Sequence, residues 1–82
     1  MEDYNSLMIL KNYGRVRVKL KELLDGKGIT RNRLSTLTGA KYEVVNRYYK
    51  GESIEMVDID FIAKVCYVLD CDICDLLEYN KE

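Results

Sequence analysis

Two glycines, Gly39 and Gly51, divide the middle of this chain into two short segments with helical periodicity. The first segment follows Thr30, whose hydroxyl can accept a hydrogen bond from an amide in the first turn of a helix. Leu34 and Leu37 recur in it at helical spacing and are predicted to face inward. Glycine adopts a left-handed backbone conformation at little cost, so both glycines are suited to end helices. The pattern predicts two short helices joined by a tight turn at Gly39.

The second of these helices has two chemically different sides. Its apolar side consists of Val44, Val45 and Tyr48, and its other side carries Tyr42, Glu43, Asn46, Arg47 and Lys50. Residues 30–51 have the spacing of a DNA-binding helix-turn-helix, whose second helix enters the major groove while the first lies across the backbone. The same pattern also fits a generic helical hairpin in a small bundle, and periodicity alone does not separate the two.

The distribution of charge favours the nucleic-acid interpretation. The formal net charge is only −1, which is unfavourable for a protein that must meet phosphates. Residues 11–50, however, carry eleven Lys or Arg and three acids, whereas residues 51–82 carry two lysines and nine acids. This segregation predicts one basic and one acidic face, as in nucleic-acid-binding proteins. The alternative is that the charges are solvated faces whose separation is lost on folding.

The segment GITRNRLSTLTGAKYEVVNRYYKG, followed by VDIDFIAKVCYVLDCDICDLLEY, resembles the small Cro/repressor-like (XRE) regulators of bacteria and their phages. The resemblance covers about residues 16–79, and both halves agree with the family in order and spacing. It is strongest to a compact subgroup that ends in a similar DLLEY-type run. It implies an all-α, lambda-repressor-like domain of five helices that binds operator DNA, usually as a two-fold dimer.

The resemblance also assigns roles to individual positions. It implies base contacts from Tyr42, Glu43, Asn46 and Arg47, and phosphate contacts from Thr30, Arg31, Lys41 and Lys50. The chemistry agrees in part, since arginine can donate two hydrogen bonds to guanine, asparagine can pair with adenine, and glutamate can accept from cytosine N4. Arg47 is the strongest single candidate. The alternative for Arg47 is an ion pair with Glu43, one turn earlier on the same helix.

Two departures from the family pattern bear on the strength of DNA binding. Lys41 stands where a small polar residue usually caps the recognition helix, and lysine cannot accept a hydrogen bond from an amide. The loop after Gly51, often basic in relatives, reads Glu-Ser-Ile-Glu, with Asp58 and Asp60 soon after. If this loop lies against the DNA backbone, its acids would weaken binding.

The remaining residues predict one helix-turn-helix domain at 14–82, preceded by an extension at 1–13 to which no role is assigned. A chain of 82 residues is long enough for one modest core. Alternation over residues 15–20 predicts a short strand, with which the tail around residues 78–80 is predicted to pair. Residues 7–11 are a further candidate strand, joined to the first through a turn at 12–14.

Three more helices complete the predicted fold. One runs through Leu23 and Leu24 and ends at the glycines of residues 26–28. The next spans about 59–69 with Asp58 as N-cap, and a last short helix covers about 73–77. Tyr48, Tyr67 and Tyr79 are predicted to be half-buried core residues.

The three cysteines follow the spacing Cys-x4-Cys-x2-Cys, which also occurs in metal and cluster sites. The chain has no histidine and no fourth cysteine, so a fourth ligand would have to be an aspartate. Core packing as reduced thiols is therefore predicted for Cys66, Cys71 and Cys74, with no metal and no cofactor.

Catalysis and membrane insertion receive no support from the sequence. There is no histidine, no nucleophile with an evident base and no glycine-rich phosphate loop, so an enzyme is not expected. No apolar run approaches the roughly 20 residues that span a bilayer, and no signal-peptide pattern is present. A cytoplasmic protein is expected.

Two functions from different classes remain. The first is a sequence-specific transcriptional regulator, acting as a repressor and a homodimer on double-stranded DNA. The second is a protein-binding adaptor that kept the fold without operator binding, and whose acidic half or N-terminal extension docks a protein partner. The motif, the basic half and the family resemblance favour the regulator, whereas the acidic loop after Gly51 motivates the adaptor.

Overall fold

The computed structural model describes residues 13–51 and 54–81. Its elements, in chain order, are β1 (Arg15–Val18), α1 (Leu20–Lys27), α2 (Arg31–Thr38), α3 (Tyr42–Lys50), α4 (Ile59–Leu69), α5 (Ile73–Leu76) and β2 (Leu77–Asn80). These five helices and one two-stranded sheet confirm the predicted lambda-repressor-like fold with a small β pairing. The candidate strand at residues 7–11 and the rest of the extension before residue 13 lie outside the described residues. No helix of the described part is long and apolar enough to cross a membrane.

The sheet joins the two ends of the domain. β1 and β2 pair antiparallel, with Arg15 opposite Asn80 and Val18 opposite Leu77, which confirms the predicted pairing. The prediction that the strand continues to Leu20 is wrong. The Lys19 amide donates to the carbonyl of Leu76 at 2.7 Å, and the chain then turns so that Leu20 begins α1 and is fully buried.

Helix ends are determined by the residues that the sequence pattern indicated. The Thr30 hydroxyl accepts a hydrogen bond from the Arg33 amide at 3.0 Å at the start of α2. The Asp58 carboxylate accepts from the amides of Asp60 and Phe61 at the start of α4. Both predicted N-caps are therefore confirmed.

Glycines in the left-handed region end the first three helices. Gly28, Gly39 and Gly51 have φ angles of 69°, 78° and 69°, respectively. Gly26 lies within α1, whose helix continues past it to Lys27. The turn between α2 and α3 is thus formed at Gly39, as predicted.

The core is built mainly from one face of each helix. Its fully or almost fully buried apolar side chains are Leu20, Leu24, Leu34, Val45, Tyr48, Phe61, Ile62, Val65, Leu69 and Leu76. At its centre the Tyr48 and Phe61 rings stack with centroids 4.7 Å apart. The Tyr48 hydroxyl accepts a hydrogen bond from the Asp58 amide at 3.0 Å, so the polar end of this buried side chain has a partner.

Three predicted core residues are in fact exposed. Leu37 is 39% exposed, because α2 packs through Leu34 and Thr38 and leaves Leu37 at the edge of that face. Tyr67 is 86% exposed on the outer side of α4. Tyr79 is 57% exposed on the small sheet, where its hydroxyl accepts from the Gly14 amide.

Replacing Tyr48 is expected to destabilise the domain more than any surface change. Tyr48→Ala should lower the free energy of unfolding by about 3–5 kcal/mol through loss of a buried aromatic side chain. Tyr48→Phe should cost about 1–3 kcal/mol, since the Asp58 amide loses its acceptor. The matched control is Tyr67→Ala, expected within about 0.5 kcal/mol of the wild type. Equal effects of Tyr48→Ala and Tyr67→Ala in urea unfolding would contradict this arrangement of the core.

Two glycine substitutions should change stability in opposite directions. A Cβ at Gly26 or at Gly39 would meet no atom within 4 Å, so backbone conformation alone decides the sign. Gly26→Ala, within α1, should raise the free energy of unfolding by about 0.5–1 kcal/mol. Gly39→Ala should lower it by about 1–2 kcal/mol because of its left-handed φ. Thermal or urea unfolding of both variants measures the difference, and the same sign for both would be inconsistent with the turn described here.

Candidate nucleic-acid interface

The turn between α2 and α3 is fixed by two hydroxyl groups on α2. Ser35 donates to the carbonyl of Ala40 at 2.6 Å. The buried Thr38 donates to the carbonyl of Leu34 at 2.8 Å and accepts from the Ala40 amide at 3.2 Å. These contacts hold the chain on both sides of Gly39 and thereby fix the direction in which α3 leaves the turn.

The helix α3 presents the predicted polar face to solvent. Val45 and Tyr48 are buried and Val44 is half-buried, so the apolar side of α3 packs on the core. On the other side the exposed residues are Tyr42, Glu43, Arg47 and Lys50, and Asn46 is half-buried. The structure therefore brings the predicted base-contact residues together on one helix.

The positive charges along α3 have no acidic partner among the described residues. Lys41, Arg47 and Lys50 take part in none of the ion pairs found there. In particular, Arg47 forms no ion pair with Glu43, and its guanidinium lies 5.7 Å from the centroid of the Tyr48 ring. Their charge is available to an external anion.

The N-terminus of α3 is open to an anion as well. Lys41 is the N-cap, its backbone is extended, and its side chain makes no capping hydrogen bond. Its carbonyl accepts from the amides of Val44 and Val45. The preceding amides, of Tyr42 and Glu43, have no acceptor in the described part of the chain. Free amides at the positive end of a helix dipole attract phosphate oxygens.

The N-terminus of α2 lies beside α3 through Arg31. The Arg31 guanidinium donates from Nη1 to Oδ1 of Asn46 at 2.6 Å and lies 4.3 Å from the centroid of the Tyr49 ring. A predicted phosphate-contact residue and a predicted base-contact residue are thus in direct contact with each other.

A chain of contacts extends from Tyr49 to α1. The Tyr49 hydroxyl donates to Oδ1 of Asp25 at 3.0 Å, and Lys21 Nζ lies 2.8 Å from Oδ2 of the same carboxylate. The hydrogen bond from Lys21, and then that from Tyr49, holds the pKa of Asp25 below its ordinary value. Sequence reasoning placed Tyr49 on or beside this surface but missed Lys21 and Asp25, although the Lys21–Asp25 spacing is that of an intrahelical ion pair.

The acids after α3 are partly compensated within the domain. The Asp58 carboxylate caps α4, and Asp60 lies 3.1 Å from Lys64 on the next turn of that helix. Glu55 is exposed, and Glu52 lies outside the described residues. Two of the acids that departed from the family pattern therefore have structural partners of their own.

The three cysteines differ in how far they are buried. Cys66 and Cys71 are half-buried against the core, as predicted, but Cys74 is exposed on α5, so its predicted burial is wrong. Burial raises the pKa of the Cys71 thiol to about 11. Within residues 13–51 and 54–81, no group of three or more His, Cys, Asp or Glu side chains is placed to hold a metal ion.

Comparisons with known proteins agree with this fold. The structure is similar to the crystal structure of the transcriptional regulator VanUg, form II, with a TM-score of 0.67 and 25% sequence identity. The match covers 85% of this chain and 91% of that chain. Among curated proteins, none matches at a significant level. A family model described as the Cro/C1-type HTH DNA-binding domain matches residues 19–82. The protein, with its α2–turn–α3 unit inside that match, belongs to the Cro/C1-type helix-turn-helix DNA-binding family.

Proposed function

We propose that this protein is a sequence-specific transcriptional repressor that binds operator DNA as a homodimer, with α3 in the major groove. The observation that carries the proposal is the outward face of α3, where Arg47 and Lys50 are exposed and have no acidic partner among the described residues. Family membership and the similarity to the regulator VanUg support the same function.

Base recognition is assigned to the exposed part of α3. Arg47 can donate two parallel hydrogen bonds to O6 and N7 of guanine, and Glu43 can accept from N4 of cytosine. Tyr42, at the start of the helix, can contact a thymine methyl group or donate to a phosphate. Asn46 is the fourth predicted base contact, but its Oδ1 is already engaged by Arg31.

Phosphate contacts are assigned to the N-termini of α2 and α3 and to Lys50 at the C-terminus of α3. The Thr30 hydroxyl accepts from the Arg33 amide, which leaves its own proton free to donate to a phosphate oxygen. Arg31 begins α2, Lys41 precedes α3 and Lys50 ends α3. Such contacts position a protein on the duplex, whereas base contacts specify the sequence.

The small size of the unit supports binding as a dimer. A single small module buries only about 600–1,000 Å² on DNA, and two half-sites bound together increase both affinity and sequence length read. A dimer seated on a promoter blocks access to it, which makes repression in the cytoplasm the expected outcome.

The alternative is a protein-binding adaptor that retains the fold without operator binding. It is motivated by the acidic segment after α3. The structure offers it limited support, because Asp58 is used in capping α4 and Asp60 is paired with Lys64. Local compensation of these charges reduces the repulsion that the segment would exert on a DNA backbone.

Selection from a random duplex pool at moderate salt tests the function directly. The wild type should enrich a two-fold symmetric site. Arg47→Ala should lose about 1–3 kcal/mol of affinity for that site and relax the preference at one base position in each half. Arg47→Lys is the matched control: it keeps the charge but not the bidentate geometry. It should therefore retain the salt dependence of binding and lose the base preference.

No enrichment by the wild type at any salt concentration would sink the repressor and leave the adaptor. Enrichment of a site whose sequence is the same for all three proteins would show that DNA is bound but that Arg47 does not read a base.

A further inference from the structure

We infer that Asn46 and Tyr49 are positioning residues, which hold the Arg31 guanidinium ready for a DNA phosphate, and that Asn46 does not read a base. The inference deepens the proposed function and rests on it. Its starting point is that the Arg31 side chain contacts both Asn46 and Tyr49 within the domain.

The contact between Arg31 and Asn46 uses one of the two lone pairs of the Asn46 amide oxygen and fixes the direction in which that amide points. Arginine carries only donors, so the oxygen of the amide must face it, and the distance from Nη1 to Oδ1 is 2.6 Å. The asparagine–adenine pair needs both this oxygen and the amide nitrogen. Asn46 is also half-buried, whereas Tyr42, Glu43 and Arg47 on the same helix are exposed. Asn46 is thus better placed to hold Arg31 than to reach a base edge.

Tyr49 supports Arg31 from a second direction. Its ring lies 4.3 Å from the guanidinium carbon, and its hydroxyl is fixed by the carboxylate of Asp25 on α1. Lys21 neutralises that carboxylate at 2.8 Å. The Arg31 guanidinium is therefore held against α3 by two side chains, one of which is hydrogen-bonded to α1. A side chain ordered before binding loses less conformational entropy when it meets its ligand.

The held guanidinium retains the donors that a phosphate needs. One Nη1–H is used by Asn46, and the remaining N–H groups stay available, since Arg31 forms no ion pair within the described residues. Arg31 is the first residue of α2, whose first turn contains no acid. The amides of Arg31 and Asn32 have no acceptor in the described part of the chain, and together with the helix dipole and the guanidinium they favour a phosphate at this point.

A double-mutant cycle on DNA binding tests this assignment. Affinities of Arg31→Ala, Asn46→Ala and the double variant are measured by fluorescence anisotropy on the selected site and on a random duplex, over a range of salt. Each single variant should weaken binding to both duplexes, by about tenfold at moderate salt. The double variant should be no weaker than Arg31→Ala alone, and the sequence selected by Asn46→Ala should match that of the wild type.

The control pair is Asn46→Ala combined with Arg47→Ala, whose effects should add, because in the described part of the chain no side-chain hydrogen bond or ion pair joins Arg47 to Arg31 or Asn46. Tyr49→Leu should show the same coupling to Arg31→Ala, whereas Tyr49→Phe, which keeps the ring, should retain most of the affinity. The thermal unfolding midpoint of each variant shows whether the domain still folds.

Three outcomes would overturn the inference. Additive effects of Arg31→Ala and Asn46→Ala would mean that the two side chains act separately. A changed base at one position of the site selected by Asn46→Ala would make Asn46 a base-reading residue and leave the proposed function intact. Failure of the wild type to bind any duplex would remove the proposed function and this inference together.

Discussion

Burial of Tyr48 is the constraint on which the arrangement of the recognition surface depends. Its ring stacks on Phe61 of α4, and its hydroxyl accepts from the amide of Asp58, the residue that caps that same helix. Because a helix turns by about 100° per residue, fixing Tyr48 and Val45 inward fixes which residues of α3 point outward. The orientation of α3 about its own axis therefore determines both which of its residues pack in the core and which face outward toward DNA.

The separation of basic and acidic residues along the chain is only partly kept on the surface of the folded domain. Arg17 is neutralised by Glu22 and Glu78, and Lys21 by Asp25, so some of the positive charge of the basic half is neutralised by ion pairs within the domain. The positive charges along α3 have no such partner among the described residues. A weakly acidic protein can thus still offer concentrated positive charge along α3, since phosphates respond to the local field more than to the net charge.

Features that depend on neighbouring residues could be predicted from the sequence, whereas most features that depend on contacts between helices could not. The caps at Thr30 and Asp58 and the turn at Gly39 are local chemistry, and alternation over residues 15–20 predicted a strand with which the tail was expected to pair. Leu37 and Tyr67 were misassigned because periodicity defines a helix face but not how far its neighbours cover it. The contact between Arg31 and Asn46 joins positions on two helices, and no spacing rule announces it.

The pairing of β1 with β2 also affects how the domain assembles. Arg15 and Asn80 are neighbours in the sheet, although nearly the whole described chain separates them in sequence. Closing so long a loop costs more entropy than forming a contact between adjacent helices, and contacts distant in sequence form slowly. The α2–turn–α3 unit needs only nearby residues to take shape. Folding should accordingly nucleate around the helices. The pairing of β1 with β2 should form late, after the helices have packed.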